Sequence, residues 1–489
     1  MSRTAARIGV DNDCPWRRAA GDPHNVRPLD AMLLFQPLVH RALRVATRSW
    51  VPAMVPWRSN EEGEAGDAVR AWYGRFADGR PGAIVVEATG VRDVKSGPLL
   101  RIGDDRFVPG LAKVVEEVRR RSEGRTRLFI QLIDFLGIRR RPEKAAWVRR
   151  FWSPAARHRE RLATAEGDPS WLELDEPALR ERALSLPHER LLAVLDAREA
   201  EELEMGWRER VVDTHVPRIA ELPRVLPPLF AAAARRAREA GFDGVELHCA
   251  HAYTLASFLS RTNDRADGYG GGNEARARLP LEVLSAVRAE VGADYVVGAR
   301  ILGEECIAGG STIDDAREHA VRLSRAGLDF LSVSRGGKFE DARQPKVGEA
   351  AYPYTGPSGH ACMPTIKSHG EPRGANLHLS RAIRAALREA GLATPVVGAG
   401  GIDNLALAER ALADGSCDLV GAARQTLADP DWWRKLELAR EHEVRRCSYT
   451  NYCEGLDQRH KQVTCRLWDR DHAEPDADGA LMVSHDGKR

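Results

Sequence analysis

Gly241-Phe-Asp-Gly-Val-Glu-Leu-His248-Cys-Ala-His251-Ala-Tyr253 decides how this chain is read. An alanine-rich helical segment precedes it. Asp243–Leu247 then has the length and apolar character of a short buried strand, and the strand runs straight into His248. Two imidazoles and a phenol follow within six positions. In a repeating β/α barrel, side chains at the C-terminal end of a strand face the active site. A strand ending in this cluster points to chemistry more than to packing.

Working outward, strand-like apolar runs recur at Trp50–Met54, Ala83–Ala88, Arg127–Leu132, Asp243–Leu247, Tyr295–Arg300, Asp329–Val333, Pro395–Ala399 and Asp418–Gly421. Helical patterns lie near 66–76, 108–121, 222–240, 275–291, 312–326, 379–390, 405–413 and 432–441. Eight strand–helix alternations imply parallel strands with crossover helices, and eight such units close into a TIM (β/α)8 barrel. An open doubly wound sheet would show a GxGxxG turn after its first strand, and none stands there. The barrel is expected over residues 29–445, between an N-terminal extension (1–28) and a C-terminal extension (446–489) with a polar tail from Glu474.

The third unit carries a long insertion, about 138–215. Its first part, Ile138–Arg161, has nine Lys/Arg against two acidic residues; Glu166–Glu204 has twelve acidic residues against four Arg. Such halves either offer a charged patch to a partner or neutralise each other. A helical excursion leaving the C-terminal face of a barrel can also cover the active site, and that use is favoured over nucleic-acid binding.

The 489-residue chain has a net charge of +2 with 29% charged residues, which gives no global field toward nucleic acid or an acidic membrane. No apolar run reaches the roughly 18 residues that span a bilayer, and the N-terminus lacks an apolar signal core. A cytoplasmic protein acting on a small molecule is expected, with no nucleic-acid or membrane partner and homo-oligomerisation left open. Eight cysteines are too sparse for a disulfide scaffold. Cys14, Cys249, Cys306, Cys362 and Cys417 are scattered, whereas Cys447, Cys453 and Cys465 cluster late.

The block AGFDGVELHCAHAYTLASFLSRTNDRADGYGGGNEARAR, residues 240–278, resembles the Old Yellow Enzyme family of FMN-dependent NAD(P)H oxidoreductases. It is most similar to the bacterial branch with 2,4-dienoyl-CoA reductase and trimethylamine dehydrogenase. The resemblance implies FMN at the C-terminal mouth of a TIM barrel and NAD(P)H as electron donor. His248 and His251 would hydrogen-bond the carbonyl oxygen of an activated alkene, and Tyr253 would deliver a proton. Gln131 would bind the flavin pyrimidine edge and Arg300 would sit beside flavin N1 and O2. Ala53, Met54 and Ala88, at the ends of strands one and two, would line the flavin. Gly400 and Gly401 after strand seven, with Ala423 and Arg424 after strand eight, would take its phosphate. Glycines admit backbone amides to an anion, and the loops after strands seven and eight are the usual phosphate site of such barrels.

Several departures stand out. Val55 occupies a place where the family often has Thr or Cys, and valine cannot hydrogen-bond. Strand three continues into Asp134-Phe135 instead of a Trp-His pair, which implies a remodelled pocket. Ala275 replaces an expected Asn, while Arg276 and Arg278 remain as structural ties. The late cysteines match iron–sulfur positions of the branch except that Thr450 takes the second place. Four thiolates are normally required, so the site reads as degenerate, and an intact [4Fe–4S] cluster is not expected; a zinc site completed by His460 is the lesser alternative. The resulting expectation is an ene-reductase. The alternatives are an FMN-dependent amine or N-methyl dehydrogenase and a redox-inactive barrel serving as a binding protein.

Overall fold

A computed structural model describes residues 31–307, 309–336, 345–348, 373–457 and 460–471. The N-terminal extension, Cys14, Cys362 and the tail from Glu474 lie outside the described residues.

Eight parallel strands close a barrel in which sequence neighbours are spatial neighbours. They are β1 (Ser49–Val51), β2 (Ala83–Gly90), β3 (Arg127–Ile133), β4 (Gly244–Cys249), β5 (Val296–Leu302), β6 (Phe330–Ser334), β7 (Val396–Ala399) and β8 (Leu419–Gly421). β8 pairs with β1 through Val420–Ser49 and Gly421–Trp50, which completes the closure. The TIM-barrel expectation is therefore met. The outer helices Asp67–Asp78, Val108–Arg121, Leu222–Glu239, Asn273–Val291, Ile313–Arg325, Leu377–Glu389, Leu405–Ala413 and Trp432–Glu437 lie close to the expected spans.

Two boundaries differ from the sequence reading by three residues or more, and β4 runs on through His248 to Cys249. β1 ends at Val51, so Ala53 and Met54 lie in the loop beyond it. Pro52 has no N–H to extend the ladder, so the apolar run outlasts the strand. The last helix stops at Glu437, and a short 3-10 turn at Glu441–Glu443 follows.

The barrel interior changes character along its axis. At the N-terminal end, Trp50 stacks on Phe129 (centroids 5.2 Å) and meets Phe330 edge-on (4.8 Å). The hairpin Leu38–His40/Leu43–Val45 adds Leu43 and Val45 to this cluster and plugs that end. Strand side chains alternate in direction. Two residues on from Phe129 the interior side chain is Gln131; two on from Gly244 it is Glu246, then His248. The interior thus passes from aromatic to polar toward the C-terminal mouth, where a site belongs. Gly298 on β5 is obligatory: a Cβ there would come within 2.2 Å of the Phe330 ring. Gly298→Ala is expected to cost about 1–3 kcal/mol through overpacking, read as a lower denaturation midpoint with an unchanged slope.

The insertion is a helical unit standing on a two-stranded antiparallel base, Ile138–Arg139 against Trp207–Arg208. Five helices, Lys144–Arg150, Ala156–Glu166, Glu176–Ser185, His188–Val194 and Ala197–Met205, enclose a core of their own around Trp147, Trp152, Leu162, Trp171 and Leu179. Its basic half pairs with its acidic half: Arg149 with Glu181 (2.9 Å), Arg157 with Asp196 and Glu199 (3.2 Å each), and Arg139 with Glu202 (3.0 Å). Mutual neutralisation, the simpler of the two readings of its charge, describes these contacts. At the base, Arg140 and Arg141 donate to the carbonyls of Gly348 and Pro345 (2.9 Å each), which joins the insertion to the segment after β6.

Outside the barrel, His319 on the helix after β5 is 3% exposed and its pKa is pushed down to about 4, first by burial and then by Arg276. A depressed histidine pKa means that the unfolded chain binds the extra proton first. Stability from this group is full above about pH 6.5 and is lost as pH falls toward 4. Chemical denaturation at about pH 7 and about pH 4.5 should differ by on the order of 2 kcal/mol from this source, a difference that His319→Gln removes.

Candidate active site

Gln131, Glu246, Arg300 and Ser334 come from four consecutive strands, β3 to β6, and lie on successive rungs of the ladder under the mouth. Gln131 pairs with Glu246, His248 one rung on pairs with Arg300, and Ser334 lies a further rung on. Gln131 Nε2 donates to Glu246 Oε1 at 2.6 Å, and both side chains are buried. Arg300 Nη2 donates to Ser334 Oγ at 3.4 Å. Burial holds the Glu246 carboxyl above the usual range against the opposing pull of Arg300. Burial likewise lowers the Arg300 guanidinium, with Glu246 opposing.

His248 is 4% exposed, and its pKa is pushed down to about 3 by burial first and the Arg300 charge second. It is therefore a neutral imidazole across the physiological range. Its ring centroid lies 5.2 Å from that of His251 and 5.3 Å from that of Tyr253, so the sequence cluster is also a spatial one. His251 and Ala252 adopt left-handed backbone (φ 58° and 54°), a conformation costly for non-glycine residues. That tight turn brings the second imidazole back over the first. His251 Nε2 is held by Ser334 Oγ at 2.7 Å.

Tyr253 precedes the helix Thr254–Leu259, and its side chain makes no capping bond. Asp134, at the end of β3, anchors that helix start. Thr254 Oγ1 donates to Asp134 Oδ2 at 2.7 Å, and the Thr254 N–H donates to the Asp134 carbonyl at 3.2 Å. Arg92, from the loop after β2, pairs with the same carboxylate. The residue expected to remodel the pocket wall is thus a tie between β3 and the Tyr253 turn.

The remaining expected positions ring the mouth. Ala53 and Met54 follow β1; Ala88 sits on β2 where its register with β3 shifts between Val86 and Ala88. Gly400 (φ 124°) and Gly401 (φ 75°) turn the chain after β7. A Cβ on Gly400 would stand 3.0 Å from the Asn376 backbone nitrogen, so only glycine fits. Ala423 and Arg424 follow β8, half-buried like the two glycines. The Arg424 guanidinium donates to Asn451 Oδ1 at 2.9 Å and lies 5.2 Å from the Tyr449 ring, in the C-terminal extension.

That extension folds back on the barrel. Val463 N–H donates to the Pro56 carbonyl at 2.9 Å, and His460 stacks on Trp57 at 4.3 Å. Cys447, Cys453 and Cys465 stand as reduced cysteines, not as disulfides. Burial pushes the Cys453 thiol up to about 12, with Arg424 opposing and the other two cysteines adding to the rise. Among the described residues, no group of three or more His, Cys, Asp or Glu side chains is arranged to hold a metal ion. No helix among them is long and apolar enough to cross a membrane.

The closed barrel thus ends in a polar mouth that carries an imidazole–imidazole–phenol cluster. Residues 228–443, the stretch that carries His248, His251, Tyr253, Arg300 and Arg424, match the model of the NADH:flavin oxidoreductase / NADH oxidase family, in line with the sequence resemblance. The chain is 34% identical over 224 residues to an NADH oxidase of Thermoanaerobacter brockii, covering 45% of this chain and 30% of that protein. It is 36% identical over 235 residues to an N,N-dimethylglycine/sarcosine dehydrogenase of Chromohalobacter salexigens, covering 47% and 30%. The matched stretch thus spans under a third of either relative's length. Among solved structures, a 2-naphthoyl-CoA reductase superposes with a TM-score of 0.63 at 19% identity, over 92% of this chain and 58% of that one, which shows a shared fold.

Proposed function

We propose that this barrel holds FMN at its C-terminal mouth and uses NAD(P)H to reduce alkenes conjugated to a carbonyl group. The observation that carries the reading is the polar mouth that gathers the Gln131–Glu246 pair, the Arg300–Ser334–His251 chain and the His248–His251–Tyr253 cluster.

The residues suit a flavin. Glu246 Oε2, His248 Nδ1 and Arg300 Nε are buried without a hydrogen-bond partner. Buried polar atoms are nearly always satisfied, and three orphans on the adjoining strands β4 and β5 fit a polar ligand at the mouth. Gln131 and Arg300 would hold its pyrimidine edge, and the glycine turn at Gly400 and Gly401 would admit its phosphate. Ala53, Met54, Ala88 and Ala423 are small or flexible and leave room for a ring system. Bound FMN would supply two-electron hydride chemistry. The fixed Arg300 charge favours negative charge on a ligand beside it, in a partly dry site where such charges act strongly. The neutral His248 imidazole and His251 donate hydrogen bonds to a substrate oxygen that gains negative charge. The Tyr253 phenol holds the proton that the α-carbon takes. Because His248 is neutral down to about pH 3, its titration does not shape activity in the range of about pH 5 to 8 where an ordinary histidine changes charge.

A second reading is FMN-dependent oxidation of N-methyl amines. The 36% identity to the N,N-dimethylglycine/sarcosine dehydrogenase favours it. The donor cluster favours the first, because oxidation at an N-methyl carbon develops no negative charge on an oxygen for two imidazoles to stabilise. An anaerobic panel separates them: FMN-loaded protein with NADH and cyclic enones should consume both, whereas turnover of N-methyl amines alone sinks the ene-reductase reading. In the same protein, His248→Ala should weaken binding of phenol ligands about tenfold or more, as seen in their absorption titrations; unchanged affinity refutes the oxyanion role.

A further inference from the structure

We propose that Glu246 is a positioning residue that orients the Gln131 carboxamide and offsets the Arg300 charge, and thereby sets both how tightly the mouth holds FMN and how strongly it favours the reduced form. The inference rests on the FMN reading above and goes beyond it, because neither the sequence resemblance nor the cluster at 248–253 assigned any role to this carboxyl.

The geometry is specific. Glu246 is 1% exposed and lies in the barrel interior on the same face of β4 as His248, two residues before it. One oxygen accepts from Gln131 Nε2 at 2.6 Å; the other is buried without a partner. A carboxylate only accepts hydrogen bonds, so it fixes which end of a neighbouring carboxamide faces it. With Nε2 committed to Glu246, Gln131 presents its oxygen to the mouth. That oxygen matches an imide N–H, the single donor on the pyrimidine edge of a flavin. With a neutral partner in place of Glu246, the carboxamide could turn over and present N–H to the same edge, donor against donor.

The charge works alongside. The residue paired with Glu246 on β5 is Gly298, two positions before Arg300 on the same strand face. The two charges oppose each other's burial in both directions. Two residues further along each strand, His248 pairs with Arg300; the groups that act on Glu246 are Gln131, which donates to it, and the Arg300 charge. A negative charge behind the guanidinium weakens the field that a ligand at the mouth feels. The site therefore carries one arginine positive enough to hold an anionic ring and restrained enough to release electrons from it.

The test uses the full-length protein stripped of FMN and reloaded. FMN affinity is followed by quenching of flavin fluorescence, and midpoint potential by equilibration with reference dyes. Glu246→Gln removes the charge and frees the carboxamide. It should weaken binding of oxidised FMN about tenfold, and favour reduced over oxidised FMN about tenfold more than wild type does, an upward shift of about 30 mV. Glu246→Asp keeps the charge but withdraws it from Gln131, so it should weaken binding and leave the potential near wild type. In a Gln131→Ala background, Glu246→Gln should no longer change affinity but should still raise the potential. Far-ultraviolet circular dichroism checks that each variant is folded, and the aspartate variant decides the orientation role if the glutamine variant does not fold. Wild-type affinity and potential in both Glu246 variants would overturn this inference while leaving FMN binding intact. Wild-type protein that takes up no FMN would overturn the proposed function and this inference with it.

Discussion

Tyr253→Phe should slow reduction of an enone by about two to three orders of magnitude while reduction of the flavin by NADH proceeds at the wild-type rate. Removal of a positioned general acid costs about 10²–10⁴-fold, and the lower part of that range is expected because water at an open mouth can supply the proton slowly. Tyr253 is half-buried at the start of its helix, its ring 5.3 Å from His248. The change removes one hydroxyl and leaves the ring that packs there, so flavin loading and stability should hold. Rapid mixing of each half-reaction makes the separation. Equal slowing of both half-reactions would remove Tyr253 from the proton-donor role. Asp134→Asn supports the same assignment from further away. Loosening the Thr254 anchor should lower the enone half-reaction several-fold, less than Tyr253→Phe, because the phenol is still present but less well held.

Trp50→Ala should destabilise the barrel by about 3–5 kcal/mol. Trp50 is fully buried at the closed end, between Phe129 of β3 and Phe330 of β6, on the strand that closes the barrel against β8. Its loss empties the widest part of the apolar layer, and the surrounding strands are held by continuous hydrogen bonding and cannot collapse inward. Thermal or urea unfolding of the FMN-free protein reads the effect without the stabilising contribution of a ligand. Trp50→Phe should recover more than half of it. A loss under about 1 kcal/mol, well below the range for a buried tryptophan, would mean that the closed end is less tightly packed than these contacts indicate.

Much of this arrangement is legible in the chain itself. The strand before His248, the helices at Val108–Arg121 and Leu405–Ala413, and the two glycine turns follow from local rules: apolar runs of strand length, 3.6-residue periodicity, and glycine where the backbone turns left-handed. Apolar content alone overextends β1, because it continues through Pro52, where a missing N–H ends the ladder. Glu246 is legible in principle. It stands two residues before His248, and strand periodicity puts the two on one face, but an acidic residue inside a buried strand shows its place in the site only once Gln131 is beside it. Ser334 leaves no such signal. It reaches His251 only because β4 and β6 flank β5 in the closed barrel and the left-handed turn at His251 and Ala252 swings the imidazole across. Asp134 stands out as a departure, yet its partner Thr254 lies 120 positions away, a pairing that only the closed barrel creates. The insertion's charge halves are complementary in number in the sequence, and their pairing depends on helices that fold around three tryptophans.

The measurement that tests the central claim most directly is the anaerobic absorption spectrum of the FMN-reconstituted protein, taken before NADH, after NADH, and after addition of a cyclic enone. The expected result is flavin bands that NADH bleaches and that the enone restores, with the second step slowed in Tyr253→Phe and the first unchanged. A protein that takes up no FMN, or whose reduced flavin is reoxidised by no enone while an N-methyl amine reduces the oxidised form, would contradict it.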